Sequence, residues 1–186
     1  MPELRGADLV TEYLVREKVP YLFGYAGHGA VGLLDSVYDR QSELKVIFPR
    51  IETGAGYMAD SFFLNGQAST EIYTSTGPGP MLLTAAIANA FYDSAAMIAV
   101  TGQVATTQSD SGALQEEYRH FQADFPSMAK VITKRSFQAH SVKDIGKFLP
   151  KAFKLARSGR PGPVHLDVPY DLWVTKDDVE VPRPEE

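Results

Sequence analysis

Apolar residues along this chain recur at helical spacing, then run together in short blocks, then return to helical spacing. From Leu4 to Glu17, the residues Leu9, Val10, Tyr13 and Leu14 share one helical face. Pro20 to Tyr25 is a compact apolar run that predicts a buried strand. Ala30 to Tyr38, with Val31, Leu33, Leu34 and Val37, predicts a second helix, and Leu44 to Phe48 a second strand. Glu52 to Leu64 reads as a third helix, stopped by Asn65-Gly66 because these residues accept the left-handed geometry of a C-terminal cap. Thr70 to Thr74 predicts a strand, Met81 to Phe91 a helix and Met97 to Thr101 another strand. After a polar loop come Gln122 to Met128 and the pair Val131-Ile132. Ser141-Val142-Lys143-Asp144 then opens a helix with a capping-box pattern that runs to about Arg157, and Val164 to Val168 supplies a last strand.

Strands and helices alternate, and strands without hydrophobic alternation imply a parallel sheet buried on both faces. The expected fold is a doubly wound, three-layer α/β/α arrangement with a mainly parallel sheet of about six strands. Residues 1–175 are expected to form this domain, and 176–186 an acidic, proline-bearing tail. Ligands of such sheets bind beyond the carboxyl ends of the strands. The unusual residues of this chain fall at those ends: Ala26-Gly27-His28-Gly29, Glu52, Ser75-Thr76-Gly77-Pro78-Gly79 and Gly102-Gln103.

Composition narrows the chemistry. The chain has 186 residues, no cysteine and a net charge of −5. Absence of cysteine excludes a disulfide framework, thiolate metal ligation and a cysteine nucleophile. An acidic balance without clustered Lys or Arg points away from nucleic acid. The N-terminus lacks a signal-peptide layout, and no apolar run has membrane-spanning length, so a cytoplasmic chain is expected.

Gly24-x-x-Gly27-x-Gly29 has the wrong spacing for a dinucleotide loop, and Gly77-Pro78-Gly79 lacks the lysine of a phosphate-binding P-loop. No Gly-x-Ser-x-Gly elbow surrounds Ser75 or Ser94. The histidines His28, His120, His140 and His165 are scattered and show no metal-ligand spacing. His165 lies in an apolar strand, where a structural role is expected. His28 is flanked by glycines in a strand-end loop, where an imidazole faces a ligand crevice. Glu52 stands at a strand-to-helix junction, where the helix dipole favours its charge.

The segments Ala7-Asp8-Leu9-Val10, Phe23-Gly24-Tyr25-Ala26-Gly27, Arg50-Ile51-Glu52-Thr53-Gly54-Ala55 and Thr74-Ser75-Thr76-Gly77-Pro78-Gly79 form an ordered series. Ala90 to Ser94, Thr101-Gly102-Gln103-Val104, Ala113-Leu114-Gln115-Glu116 and Gly159 to Val164 continue it. Together they resemble the pyrimidine-binding, N-terminal domain of thiamine-diphosphate enzymes of the acetolactate synthase, pyruvate oxidase and decarboxylase type. The resemblance extends from about Gly6 to Trp173. It implies that Glu52 hydrogen-bonds N1′ of the cofactor's aminopyrimidine and favours its imino tautomer. It implies further that Gln115 reaches the reaction centre, and that His28 and Gly29 face the thiazolium. Gly27, Gly29, Thr76, Gly77, Pro78 and Gly79 are expected to line the cofactor beside Glu52, with Phe91 and Tyr92 as support for the pocket or as core. The chain departs from the family pattern at Ala26, Ile51 and Ala96, which leaves the substrate open.

The family's Gly-Asp-Gly diphosphate and metal segment has no counterpart here. The chain is therefore expected to be either the small subunit of a split enzyme, which is the preferred reading, or an excised domain. A separate diphosphate-binding subunit would supply the Mg2+ site in an α2β2-type assembly, and activity would require both. Met1 and the tapering acidic tail read as natural ends of such a subunit. The expected reaction is decarboxylation of a 2-oxo acid with transfer of the activated aldehyde to an acceptor. Two alternatives stand beside it: hydrolytic ring opening of a cyclic 1,2-dione, which the Gly27-His28-Gly29 turn favours, and an inactive domain that regulates a partner.

Overall fold

The computed structural model describes residues 3–66, 70–113, 115–116 and 124–184. Leu114, His120, the start of the Gln122 to Met128 run and the two chain ends lie outside these residues. In chain order the elements are β1 (Glu3–Arg5), α1 (Gly6–Arg16), β2 (Tyr21–Gly24), α2 (Val31–Tyr38), β3 (Lys45–Ile47), α3 (Glu52–Leu64), β4 (Thr70–Thr74) and α4 (Pro78–Asp93). Then follow β5 (Met97–Gln103), α5 (Phe125–Ala129), β6 (Arg135–Gln138), α6 (Val142–Arg157), β7 (Val164–Pro169), α7 (Tyr170–Val174) and β8 (Lys176–Asp178). A six-stranded sheet has the order β3-β2-β4-β5-β7-β6, and its strand pairs are parallel.

Two apolar cores flank this sheet. Leu9 and Leu14 of α1, Leu33 and Val37 of α2, and Leu149 and Phe153 of α6 pack with Leu22, Ile98 and Leu166. On the opposite face, Ala55 and Ala59 of α3, Leu83 and Ile87 of α4, and Phe125 of α5 pack with Ile72, Met97 and Ala99. The doubly wound α/β expectation therefore holds. Strand order reverses between β2 and β4, which opens a crevice at their carboxyl ends.

Several local readings hold for physical reasons. The Ser141 side chain accepts the Asp144 N–H, and the Asp144 carboxylate reaches back to the His140 N–H. Asn65 ends α3, followed by Gly66 at φ +79°. His165 is fully buried, as a structural histidine should be.

Other segments take the following forms. Met81 to Phe91 is the interior of a longer helix: α4 begins at Pro78, because proline at N1 needs no N–H and its fixed φ suits a helix start. Of Gly77, Pro78 and Gly79, Gly77 alone has a positive φ, +65°. The strand after α5 is the polar Arg135–Gln138, while Val131 is exposed. The segment beginning at residue 176 opens with β8, antiparallel to β1, and Arg16 donates to the carbonyls of Val181 and Pro182. No described helix is long and apolar enough to cross a membrane.

Candidate active site

Glu52 is the first residue of α3, immediately after extended Ile51. It is half-buried and makes no hydrogen bond or ion pair with a described residue. Its setting follows from how closely α3 and α4 approach. The Thr53 hydroxyl donates to the Leu82 carbonyl at 2.5 Å, and Gly56 lies against Ala86 with no room for a Cβ. The carboxylate consequently faces the start of α4, where a Cβ at Gly79 would stand 3.5 Å from Glu52 Oε1 and overlap the Thr74 hydroxyl. That Thr74 hydroxyl is buried without a partner. An unpaired carboxylate and an orphaned hydroxyl meet at a cradle that only glycine leaves open.

Gly77 has its back to a different group. A Cβ there would lie 2.8 Å from Gln115 Cβ, so the glycine both permits φ +65° and admits Gln115. Gln115 itself has φ +62°, a left-handed conformation rare for this residue type. Two interactions hold it there. The Thr76 hydroxyl donates to Gln115 Oε1 at 3.2 Å, and the Glu116 carboxylate accepts the N–H groups of Asp110 and Gly112. Strain maintained by surrounding contacts is common at functional sites.

Gly27-His28-Gly29 leaves β2 and enters a 3₁₀ turn over residues His28–Ala30. A Cβ on Gly27 would sit 2.5 Å from Ser75 Cβ, and one on Gly29 would sit 2.6 Å from Thr76 Cγ2. The turn therefore lies flat on the end of β4, with the Gly29 N–H donating to Ser75 Oγ at 3.0 Å. His28 projects from it, exposed, into a cavity of about 260 Å3 shared with Thr76, Val104, Ala113, Gln115 and Tyr170. Its ring centroid is 4.8 Å from that of Tyr170.

The structure thus brings His28, Thr76 and Gln115 together in one cavity and sets Glu52 on the far side of the Gly77–Gly79 segment. Pro78 is exposed in the middle of that segment. Phe91 and Tyr92 lie away from Glu52 and the His28 cavity. Among the described residues they lie at the opposite end of α4, roughly 20 Å from its first turn, where Arg160 donates to their carbonyls at 3.1 and 2.7 Å.

Sequence reasoning missed Thr74, Ser75 as a hydrogen-bond acceptor, and the helix α7. Tyr170 follows directly on the carboxyl end of β7, so the same strand-end rule that picked out His28 and Glu52 would have found it. In a neighbouring cavity lined by Gln103, Thr106 and Gln138, burial pushes Asp167 up to about 7, while Thr101 and Gln138 pull the other way. His165 is held down at about 3 by burial. Thr101 donates to Asp167 Oδ1 at 2.9 Å and contacts His165 Nε2 at 2.8 Å. Among the described residues, no three His, Asp or Glu side chains are grouped to hold a metal ion.

The family profile described as thiamine pyrophosphate enzyme, N-terminal TPP binding domain, matches residues 4–124. The probable acetolactate synthase large subunit of Methanocaldococcus jannaschii is 37% identical over 178 residues, covering 95% of this chain and 29% of that protein. The chloroplastic acetolactate synthase of Arabidopsis thaliana is 33% identical, covering 90% of this chain and 24% of its own length. The mitochondrial acetolactate synthase catalytic subunit of Saccharomyces cerevisiae is 31% identical, covering 91% and 24% respectively. The chain thus spans less than a third of the length of these curated relatives.

Proposed function

This chain belongs to the thiamine pyrophosphate enzymes as an N-terminal TPP-binding domain, and from that membership we propose that it carries the pyrimidine-facing half of an active site. The reaction we assign is decarboxylation of a 2-oxo acid followed by joining of the remaining acyl unit to a carbonyl acceptor. One carbon–carbon bond breaks with loss of carbon dioxide, and one forms. The relatives support this reading, since each of those named above is an acetolactate synthase.

The observation that carries the proposal is the placement of Glu52. The free carboxylate, the orphaned Thr74 hydroxyl and the open face at Gly79 fit a flat heterocycle with hydrogen-bonding nitrogens. Bound thiamine diphosphate supplies an electron sink for the pair released when the carboxyl group leaves. The chain's own residues do the rest. Glu52 holds a proton at the pyrimidine N1′. Gln115, fixed by Thr76 and Glu116, offers an amide to the substrate's polar end. His28 orients substrate or moves a proton at the mouth of the same cavity. The diphosphate and Mg2+ contacts lie outside these residues, on a separate subunit in an α2β2-type complex, by the arrangement we favour. Zero cysteines among 186 residues suit the reducing cytoplasm in which we place it.

Replacing Glu52 with Gln in the assembled enzyme tests the assignment. Loss of the proton-sharing carboxylate should lower kcat by about 10²–10⁴-fold while leaving thiamine diphosphate bound. Unchanged turnover would remove Glu52 from the chemistry and leave a regulatory role for the domain. The exposure of His28 in the cavity favours a second reading, hydrolysis of a cyclic 1,2-dione. His28→Ala separates the two: it should abolish hydrolysis, whereas in a carboligase it alters acceptor choice.

A further inference from the structure

Five consecutive residues, Tyr170–Val174, form the short helix α7, and they touch several separate parts of the candidate site. Tyr170 packs its ring against His28 at a centroid distance of 4.8 Å and an angle of 53°. Asp171 accepts the Thr106 N–H at 3.0 Å and the Thr106 hydroxyl at 2.6 Å, which anchors the loop carrying Val104 and Gln108. Trp173 is buried and donates its indole N–H to the Gly29 carbonyl at 2.8 Å, on the backbone of the His28 turn.

The helix is itself clamped. A Cβ on Gly32 of α2 would stand 2.5 Å from Trp173 Cβ, and Gly6 at the start of α1 lies against the Leu172 carbonyl with no room for one. The Thr175 N–H closes the last turn on the Asp171 carbonyl at 3.0 Å. With both neighbouring helices packed this tightly, Tyr170 has little freedom to drift from its place. Its ring is therefore a fixed wall of the 260 Å3 cavity that holds His28, Thr76 and Gln115.

We propose that Tyr170 is the specificity-determining residue of this site, limiting the carbonyl substrates to short aliphatic ones. The inference rests on the carboligase reading above and sharpens it. The cavity is polar along His28, Thr76, Gln108 and Gln115, and apolar along Val104, Ala113 and the Tyr170 ring. Such a lining takes a small molecule with its carbonyl or carboxylate towards the first group and a short alkyl end towards the second. At about 260 Å3 it lies just below the usual range for ligand pockets, so one added ring has nowhere to go while Tyr170 stays.

The test uses the assembled holoenzyme with a pair of carbonyl acceptors, one short aliphatic 2-oxo acid and one aryl aldehyde. Tyr170→Ala should raise the ratio of kcat/KM for the aryl over the aliphatic acceptor by at least about 10-fold, the scale on which apolar pockets discriminate. Tyr170→Phe should hold the wild-type ratio, and Tyr170→Trp should lower it. A merely structural role would depress both acceptors in parallel. An active wild type whose ratio is the same in all variants overturns the assignment of Tyr170. A wild-type complex without thiamine-diphosphate-dependent carbon–carbon chemistry overturns the reading of function on which it rests. A second readout needs no cofactor. In the 186-residue chain, ring current from Tyr170 should displace the His28 imidazole resonances, with the displacement kept in Tyr170→Phe and lost in Tyr170→Leu. Identical His28 resonances in wild type and Tyr170→Leu would also overturn it.

Discussion

Glu71 is fully buried on the central strand β4, with neither carboxyl oxygen hydrogen-bonded. Its register partners are the apolar Leu22 and Ile98, and no described residue hydrogen-bonds its carboxylate. Burial therefore pushes its pKa from 4.5 up to about 8. The folded chain keeps this proton where the unfolded chain has released it, so stability is full below pH 4.5 and declines as pH rises towards 8. The decline for one group is roughly 1.4 kcal/mol per pH unit across that window. Asp167, raised to about 7, adds to the fall in the same direction. His165 works oppositely: its pKa is lowered from 6.5 to about 3, so it costs stability only as pH falls below 6.5. Glu71→Leu should flatten the pH dependence of urea stability between pH 5 and 8 by about one proton's worth, and stabilise the chain by about 1–3 kcal/mol at the upper end. An unchanged slope would show that Glu71 finds a partner in solution. The residue was readable in sequence only as one polar letter in an apolar strand, with no spacing to give its role. Glu52 and His28, by contrast, stand out as candidates because they fall at strand ends, where ligands of such sheets bind.

Elements differ in how far their glycines serve packing. Gly56 and Gly146 both sit in helix interiors, where glycine costs roughly 1 kcal/mol against alanine. A Cβ on Gly146 would meet Leu9 Cδ2 at 3.4 Å, an ordinary contact, whereas one on Gly56 would collide with Ala86. Gly146→Ala should therefore raise stability by about 0.4–1 kcal/mol. Gly56→Ala should lower it by about 1–3 kcal/mol, since the clash between α3 and α4 outweighs the gain in helix propensity. Thermal unfolding of the two variants side by side decides this, and equal shifts would mean that α3 and α4 are not packed as described. The same physics explains which elements could be read in advance. Helix α6 announces itself through its Ser141 cap and a continuous apolar face. The strands β1 and β8 are three residues each, too short for any period to show. Strand β6 forms the sheet edge with a polar sequence, so the apolar pair Val131-Ile132 is the stronger but misleading signal. Helix α7 is equally short, and its importance lies wholly in contacts with distant residues.

At the scale of the whole molecule, one group of exposed apolar residues lies along α3 and α4, the helices that flank Glu52. Ile51, Tyr57, Met58, Leu64 and Leu82 of α3, α4 and their approaches are exposed, and Tyr57 and Met58 border a hollow with Phe23 and Phe62. Ile51 directly precedes Glu52, so a partner laid on this face would also shut the carboxylate away from water. Exclusion of water strengthens the electrostatic interactions inside such a site, and stable interfaces need roughly 800 Å² from each partner. The proposed diphosphate-binding subunit would meet both requirements by covering α3 and α4. Met58→Glu tests this, because the side chain is exposed in the chain alone and a charge there costs little until a partner arrives. Its thermal midpoint should stay within a few degrees of the parent. Calorimetric titration with thiamine diphosphate and Mg2+ should show tight binding only when the unaltered chain is mixed with its diphosphate-binding subunit. With Met58→Glu that binding should weaken by about 10-fold or more, since truncations at the centre of an interface commonly cost over 1.4 kcal/mol. Undiminished binding by the variant mixture would place the partner on another face, and tight binding by this chain alone would show that no partner is needed to complete the cradle.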